Sequence, residues 1–129
     1  MSGEKDLTTL LANMNPVLAP DSFVFASVAD NELHRFDVSD IDVFVREDEG
    51  LTLILRSELA GKYDLDVAQT FARITLQIHS SLEAVGLTAV IATKLAAADI
   101  SANVVAGYYH DHVYVADSDG AKAIQVLRQ

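Results

Sequence analysis

The alternation of Ile74, Leu76 and Ile78 with Arg73, Thr75, Gln77 and His79 constrains this chain more than any other feature. A period of two sends one set of side chains to a core and the other to the opposite face, as in a half-buried strand. Past Gly86 the period changes. Leu87, Val90, Ile91, Leu95 and Ala98 recur at helical intervals, and Ala89, Ala92, Ala96 and Ala97 favour a helix that packs close to a sheet. Ala102–Ala106 then reads as a second strand and Val113–Val115 as a third, with Tyr109–His112 as the turn between them.

A helix of about a dozen residues between two short strands suits a crossover in which those strands lie parallel, while the third returns antiparallel. Ala121, Ile124 and Leu127 mark one face of a closing helix, with Asp117, Ser118 or Asp119 as its cap. The order β-α-β-β-α describes an α+β, ferredoxin-like unit without its last strand.

These residues carry a resemblance. Gly86-Leu87 opening the helix, Leu95 to Ser101 closing it, and Asp111-His112 before the third strand make the second half similar to an ACT domain, the small βαββαβ module that regulates amino-acid metabolism. The likeness extends to bacterial tandem ACT proteins of unassigned function and to the ACT repeats of aspartate kinases and of the animal cytosolic arginine sensor. Glu47 to Leu55, EDEGLTLIL, sits where the preceding repeat of that tandem group has its hairpin. The resemblance implies two incomplete repeats side by side, 1–66 and 67–129, with strands exchanged between them as in aspartate kinases.

The first half is read from its own pattern as well. Leu7, Leu10, Leu11 and Met14 suit a short amphipathic helix, capped by Asp6 and ended by Asn15-Pro16. Phe23–Val28 reads as a buried strand introduced by Pro20-Asp21, and Ala29–Arg35 as a loop. Ile41, Val43 and Val45, then Leu51, Leu53 and Leu55, alternate on either side of a turn ending in Gly50, which predicts a β-hairpin. Ser57 caps a short helix that Gly61 closes or interrupts.

Charge excludes some functions. Nine Lys and Arg against nineteen Asp and Glu give a net charge of −10, which offers no counter-charge to nucleic acid or to an anionic membrane. There is no cysteine, hence neither a disulfide nor thiolate chemistry. No signal-like segment or apolar run of membrane-spanning length is evident, and the expected address is the cytoplasm.

Chemistry-bearing clusters are sparse. His110-Asp111-His112 carries two imidazoles at i, i+2, an incomplete metal shell that His79 would extend only if the fold placed it alongside. A polar turn explains the cluster as well, and no metal or cofactor is expected. Ser80 and Ser81 beside His79 lack the glycine-flanked elbow of a nucleophile, and no phosphate-binding glycine motif occurs. No catalytic residue is assigned.

A ligand seat at the N-terminus of the first helix is the strongest candidate, formed by Val85, Gly86, Leu87 and Thr88. Free N–H groups and the helix dipole suit a carboxylate there, and glycine permits close approach. Asp111 would receive an ammonium, as the resemblance to the arginine sensor implies, and Asn103 adds an amide. The acid two positions before the matching glycine in that sensor is Ala84 here, with Glu83 one position away, a departure from the pattern for arginine itself. The expectation is a non-catalytic sensor that binds an amino acid or similar small molecule at the interface of its ACT repeats and acts in trans on a protein partner, as a homodimer. The competing expectation is a ligand-free assembly module that pairs through strand edges, with Tyr108, Tyr109 and Tyr114 as anchors.

Overall fold

The computed structural model describes residues 12–77 and 86–129. In chain order its elements are β1 (Pro16–Val28), β2 (Val43–Glu47), β3 (Gly50–Arg56), β4 (Phe71–Leu76), α1 (Leu87–Ala97), β5 (Asn103–Ala106), β6 (Asp111–Ala116) and α2 (Gly120–Leu127). They fall into two compact units. Unit A holds the described residues up to Pro20 together with Ala72–Gln129, and unit B holds Asp21–Phe71.

Unit A grows from the alternation in β4. Ala72, Ile74 and Leu76 are buried and Arg73 and Thr75 half-buried, and the buried set shares a core with Leu87, Ile91 and Leu95 of α1 and with Val113 and Val115 of β6. The i, i+4, i+8 spacing of the three α1 residues gives it one narrow apolar stripe. Ala89, Ala92, Ala96 and Ala97, read as favouring a helix packed close to a sheet, are exposed, and the close contact is made by that stripe.

The end of α1 follows from its sequence. Asp99 takes a left-handed φ of 62°, its N–H bonds to Ala96 O at 2.9 Å, and the Ile100 N–H bonds to Leu95 O at 2.9 Å. This is a Schellman motif with aspartate at the position glycine usually fills, and buried Ile100 supplies its hydrophobic contact with Leu95. Lys122 of α2 donates to Ala98 O at 2.8 Å, satisfying another terminal carbonyl.

β5 and β6 pair antiparallel, with Ala106 opposite Asp111 and Asn103 opposite Tyr114. The turn is Gly107–His110, so Asp111 and His112, expected in the turn, are strand residues. The order in this unit is β1-β4-β6-β5, and the Thr75 hydroxyl meets His112 Nδ1 at 2.9 Å, so the end of β4 lies beside the start of β6. β4 and β5 therefore run parallel on either side of β6, the split β-α-β of a ferredoxin-like unit. Its last strand comes from the other end of the chain: Gln77 N–H donates to the carbonyls of Met14 and Asn15 at 3.2 and 3.4 Å, just ahead of β1.

α2 differs in phase from the expected pattern. Gly120, Ala123 and Leu127 are buried while Ala121 is exposed, because the helix begins one residue before Ala121 after a 3-10 turn at Asp117–Asp119. Asp119, at its N-cap, makes no side-chain cap bond. A Cβ on Gly120 would meet the Ala72 Cβ at 3.1 Å and Leu18 at 3.4 Å, so glycine lets α2 lie against β4 and the first stretch of β1.

Unit B has the order β2-β3-β1. The expected hairpin is present, with Val43 opposite Ile54 and Glu47 opposite Gly50, and β3 pairs antiparallel with β1 from Phe23–Arg56 to Val28–Leu51. Val24, Val28, Leu51, Leu53 and Leu55 share a core with Phe36 and Tyr63. Phe25 points away from it and is 37% exposed, so β1 is not buried throughout. Pro20 lies inside β1 rather than ahead of it.

3-10 turns replace α-helices in the cover of unit B. Asp30–Arg35, expected as loop, is one, followed by Val38–Asp40 and Ser57–Leu59. Asp37 caps the second by accepting from Ser39 N–H at 3.0 Å. Tyr63 ties them together: Arg35 donates to its carbonyl at 2.9 Å, its hydroxyl accepts from Asp37 N–H at 3.1 Å, and that hydroxyl donates to Asp40 at 2.5 Å. Of the expected N-terminal helix, Leu7, Leu10 and Leu11 lie outside the described residues, while Met14 is buried in the core of unit A.

Candidate functional site

The seat expected at the start of α1 lies at one end of the unit A sheet. α1 starts after β4 has ended and returns the chain to β5, whose first residue, Asn103, faces Tyr114 at the opposite end of β6. The eleven residues of α1 span ~16 Å at 1.5 Å per residue, enough to run back along a short sheet. The N-terminus of α1, the end of β4 and the start of β6 thus share one end, and Asp111 is the first residue of β6.

Gly86 is built for this position. Its φ is 97°, in the left-handed region that favours glycine, and it stands at the N-cap without a side-chain cap bond. The first helical bond runs from Val90 N–H to Gly86 O at 3.0 Å. Leu87, Thr88 and Ala89 carry first-turn N–H groups, which an α-helix leaves without intrahelical acceptors. Leu87 is buried in the core and only its backbone is available, whereas Thr88 is exposed. Val85 lies outside the described residues, as do His79, Ser80, Ser81, Glu83 and Ala84.

Asp111 is half-buried. Burial pushes its carboxyl above the ordinary carboxylate value, and the His112 charge opposes the shift. Desolvation of this kind leaves an acid that gains from a cation brought in from outside.

Asn103 stands apart from this group. It is three register positions from Asp111 along the hairpin, ~10 Å at strand spacing, and its amide donates to Tyr114 O at 3.2 Å. Thr75, which sequence reasoning did not single out, is brought against His112; its signal was its place on the polar side of the β4 alternation.

His110 and His112 do not form a shell. His112 Nδ1 faces Thr75, the carbonyl of His110 accepts from Gly107 N–H at 2.9 Å, and His110 Nδ1 is buried without a partner. A Cβ on Gly107 would sit 2.8 Å from that carbonyl, so the turn demands glycine. Among the described residues no group of three or more His, Cys, Asp or Glu converges as metal ligands would. Among them too, no helix is long and apolar enough to cross a membrane. Tyr108 and Tyr109 are exposed at the tip of the turn, in edge contact at 5.0 Å. Tyr114, expected as a third anchor, is 1% exposed and part of the interior.

Comparison with known proteins agrees with this architecture. Models of the ACT domain match residues 2–72 and 72–129. A crystal structure of a protein of unknown function from Vibrio cholerae, described as a possible transport protein, is 45% identical, with 94% of this chain and 92% of that one covered and a TM-score of 0.79. The regulatory subunit of aspartate kinase from Thermus thermophilus, in a ligand-free form, shares the fold at 7% identity, with coverage of 88% and 94% and a TM-score of 0.65. A protein from Agrobacterium tumefaciens does so at 17% identity, with coverage of 83% and 81% and a TM-score of 0.65. No curated protein matches.

Proposed function

Because the chain belongs to the ACT domain family, with two ACT domains in tandem, we propose that it is a non-catalytic regulatory protein whose ligand is an amino acid held at the α1 end of unit A. ACT domains are regulatory modules, and regulatory subunits of aspartate kinase share this fold. The observation that carries the reading is the common end of the sheet occupied by the α1 N-terminus and by half-buried Asp111. First-turn N–H groups of α1 suit the carboxylate of a zwitterion. Asp111, held partly out of water, suits its ammonium. Gly86, Leu87 and Thr88 contribute backbone, Val85 is assigned with them from sequence, and Asn103 acts through the hairpin rather than by contact. The protein works in the cytoplasm as a homodimer, with its effect on a partner in trans.

The test is thermal unfolding against the free amino acids. A ligand selective for the folded state stabilises it by ~2.7 kcal/mol at about a hundred times its dissociation constant. A rise in Tm with one class of amino acid, lost in Asp111→Ala, is expected; no rise with any amino acid overturns the reading.

One observation favours a second reading. β5 stands last in the strand order of unit A, and exposed Tyr108 and Tyr109 lie at its end, an edge suited to pairing between copies without a ligand. A dimer dispersed by Tyr108→Ser with Tyr109→Ser, together with silence toward amino acids, would favour it.

A further inference from the structure

The strand that completes the sheet of unit A lies beside β4. Beside the unit B stretch of β1, residues 65–70 pass as an irregular segment, and between it and β1 is a cavity of about 440 Å³. That is within the range of small-molecule sites, roughly 300–1,000 Å³. Its lining divides in two. Phe25 and Phe71, 4.7 Å apart between ring centres and tilted by 56°, form an aromatic wall. Ser27, Gln69 and Asp66 supply a hydroxyl, an amide and a carboxylate.

Charge selects the ligand class. Among the described residues that line it, Asp66 is the only ionisable one, and none is Lys, Arg or His. An ammonium has Asp66 as its counter-charge and an apolar body has two aromatic rings to lie against, whereas a carboxylate has no described cation to pair with and is repelled by Asp66. A zwitterionic amino acid therefore suits this cavity poorly. The net charge of −10 also draws cations toward the protein.

We propose that unit B carries a second ligand site, for a small monocationic amine: one ammonium on an apolar, ring-sized body, without a carboxylate. The aromatic wall takes the body, Asp66 the ammonium, and Ser27 and Gln69 its remaining N–H donors. Asp66 and Gln69 are exposed, so entry requires no rearrangement. This site is independent of the amino-acid seat in unit A.

The intact protein is titrated with phenethylamine, phenylalanine and 3-phenylpropionate, following the backbone amide resonances of Ser27, Asp66 and Gln69. Saturable shifts with phenethylamine are expected, with phenylalanine at least about tenfold weaker and 3-phenylpropionate without effect. Asp66→Asn, at an exposed position, is expected to keep the wild-type Tm and lose about tenfold or more in phenethylamine affinity. Asp111→Asn is expected to leave that affinity unchanged. Absence of saturation at ~10 mM phenethylamine, equal affinity for phenylalanine, or unchanged affinity in Asp66→Asn would overturn the site. Binding lost in Asp111→Asn instead would move it to unit A and overturn it equally, while failure of amino acids to bind unit A leaves it standing.

Discussion

Unit A and unit B each carry an antiparallel sheet with one face buried, yet they cover that face by different means. Unit A uses α1 and α2, whose Leu87, Ile91, Leu95, Ala123 and Leu127 enter one core. Unit B uses 3-10 turns too short to bury a full apolar stripe, and makes up the deficit with Phe36 stacked on Tyr63 at 4.5 Å and with the polar bonds that converge on Tyr63. Unit A is held mainly by burial, which is non-directional and tolerates repacking. Unit B depends more on directional bonds, which hold only over a narrow range of distance and angle.

Three measurements break or sharpen this contrast. The largest effect is expected on separating residues 72–129 from the rest. That fragment retains β4, α1, β5, β6 and α2 but loses the first stretch of β1 and buried Met14, and circular dichroism should show no cooperative unfolding transition; a sharp transition would show that β1 is dispensable to unit A. Next, Leu95→Ala should cost about 2–5 kcal/mol, as for a large-to-small change at a fully buried position. Tyr63→Phe keeps the ring and should cost about 0.5–1.5 kcal/mol, the net worth of the bonding its hydroxyl makes, because exposed Asp37 and half-buried Asp40 regain water. Denaturant titration of both variants decides the matter: a Tyr63→Phe cost below about 0.5 kcal/mol would mean that the ring alone holds unit B.

The smallest effect is expected at Asp111. Its carboxyl is raised by burial, so the folded state binds its proton more tightly than the unfolded state does. That contribution to stability is fully present below the ordinary carboxylate value and is lost as pH rises through the raised one. Asp111→Asn, permanently uncharged, should melt higher than the wild type at neutral pH, with the gap closing as pH falls below the ordinary value. A variant less stable at neutral pH would mean that a cation already compensates the ionised carboxylate in the ligand-free protein.

Much of unit A was legible because its signals are local. Ile74 and Leu76 alternate within one strand, Leu87 to Leu95 repeat within one helix, and Asp99-Ile100 closes that helix through bonds only a few residues long. The Val43–Glu47 and Gly50–Arg56 hairpin was legible in unit B for the same reason. What escaped was set at longer range. Pro16 and Pro20 argue locally against a strand, yet β1 runs through both, because its hydrogen-bonding partners come from distant parts of the chain. Leu33 in the polar run 29–35 gave little hint that it would pack on a core, which it does through the 3-10 turn. The site was legible as residue types rather than as geometry. Gly86 and Asp111 stood out in sequence, but whether Asn103 lies near Asp111 depends on the register of the β5–β6 hairpin, and hence on a turn at Gly107–His110 rather than at Tyr109–His112.

Because β1 begins in one unit and ends in the other, the order of synthesis and the order of assembly do not coincide. The stretch of β1 that belongs to unit A is synthesised ahead of all of unit B, while β6, next but one to it in the sheet, follows about a hundred residues later, ~5–20 s at ordinary translation rates. Unit B can pair its own three strands as soon as Arg56 is exposed. A nascent chain stalled beyond unit B should therefore present a finished hairpin and an unfinished first strand together, in a state that no equilibrium experiment on the released protein would populate.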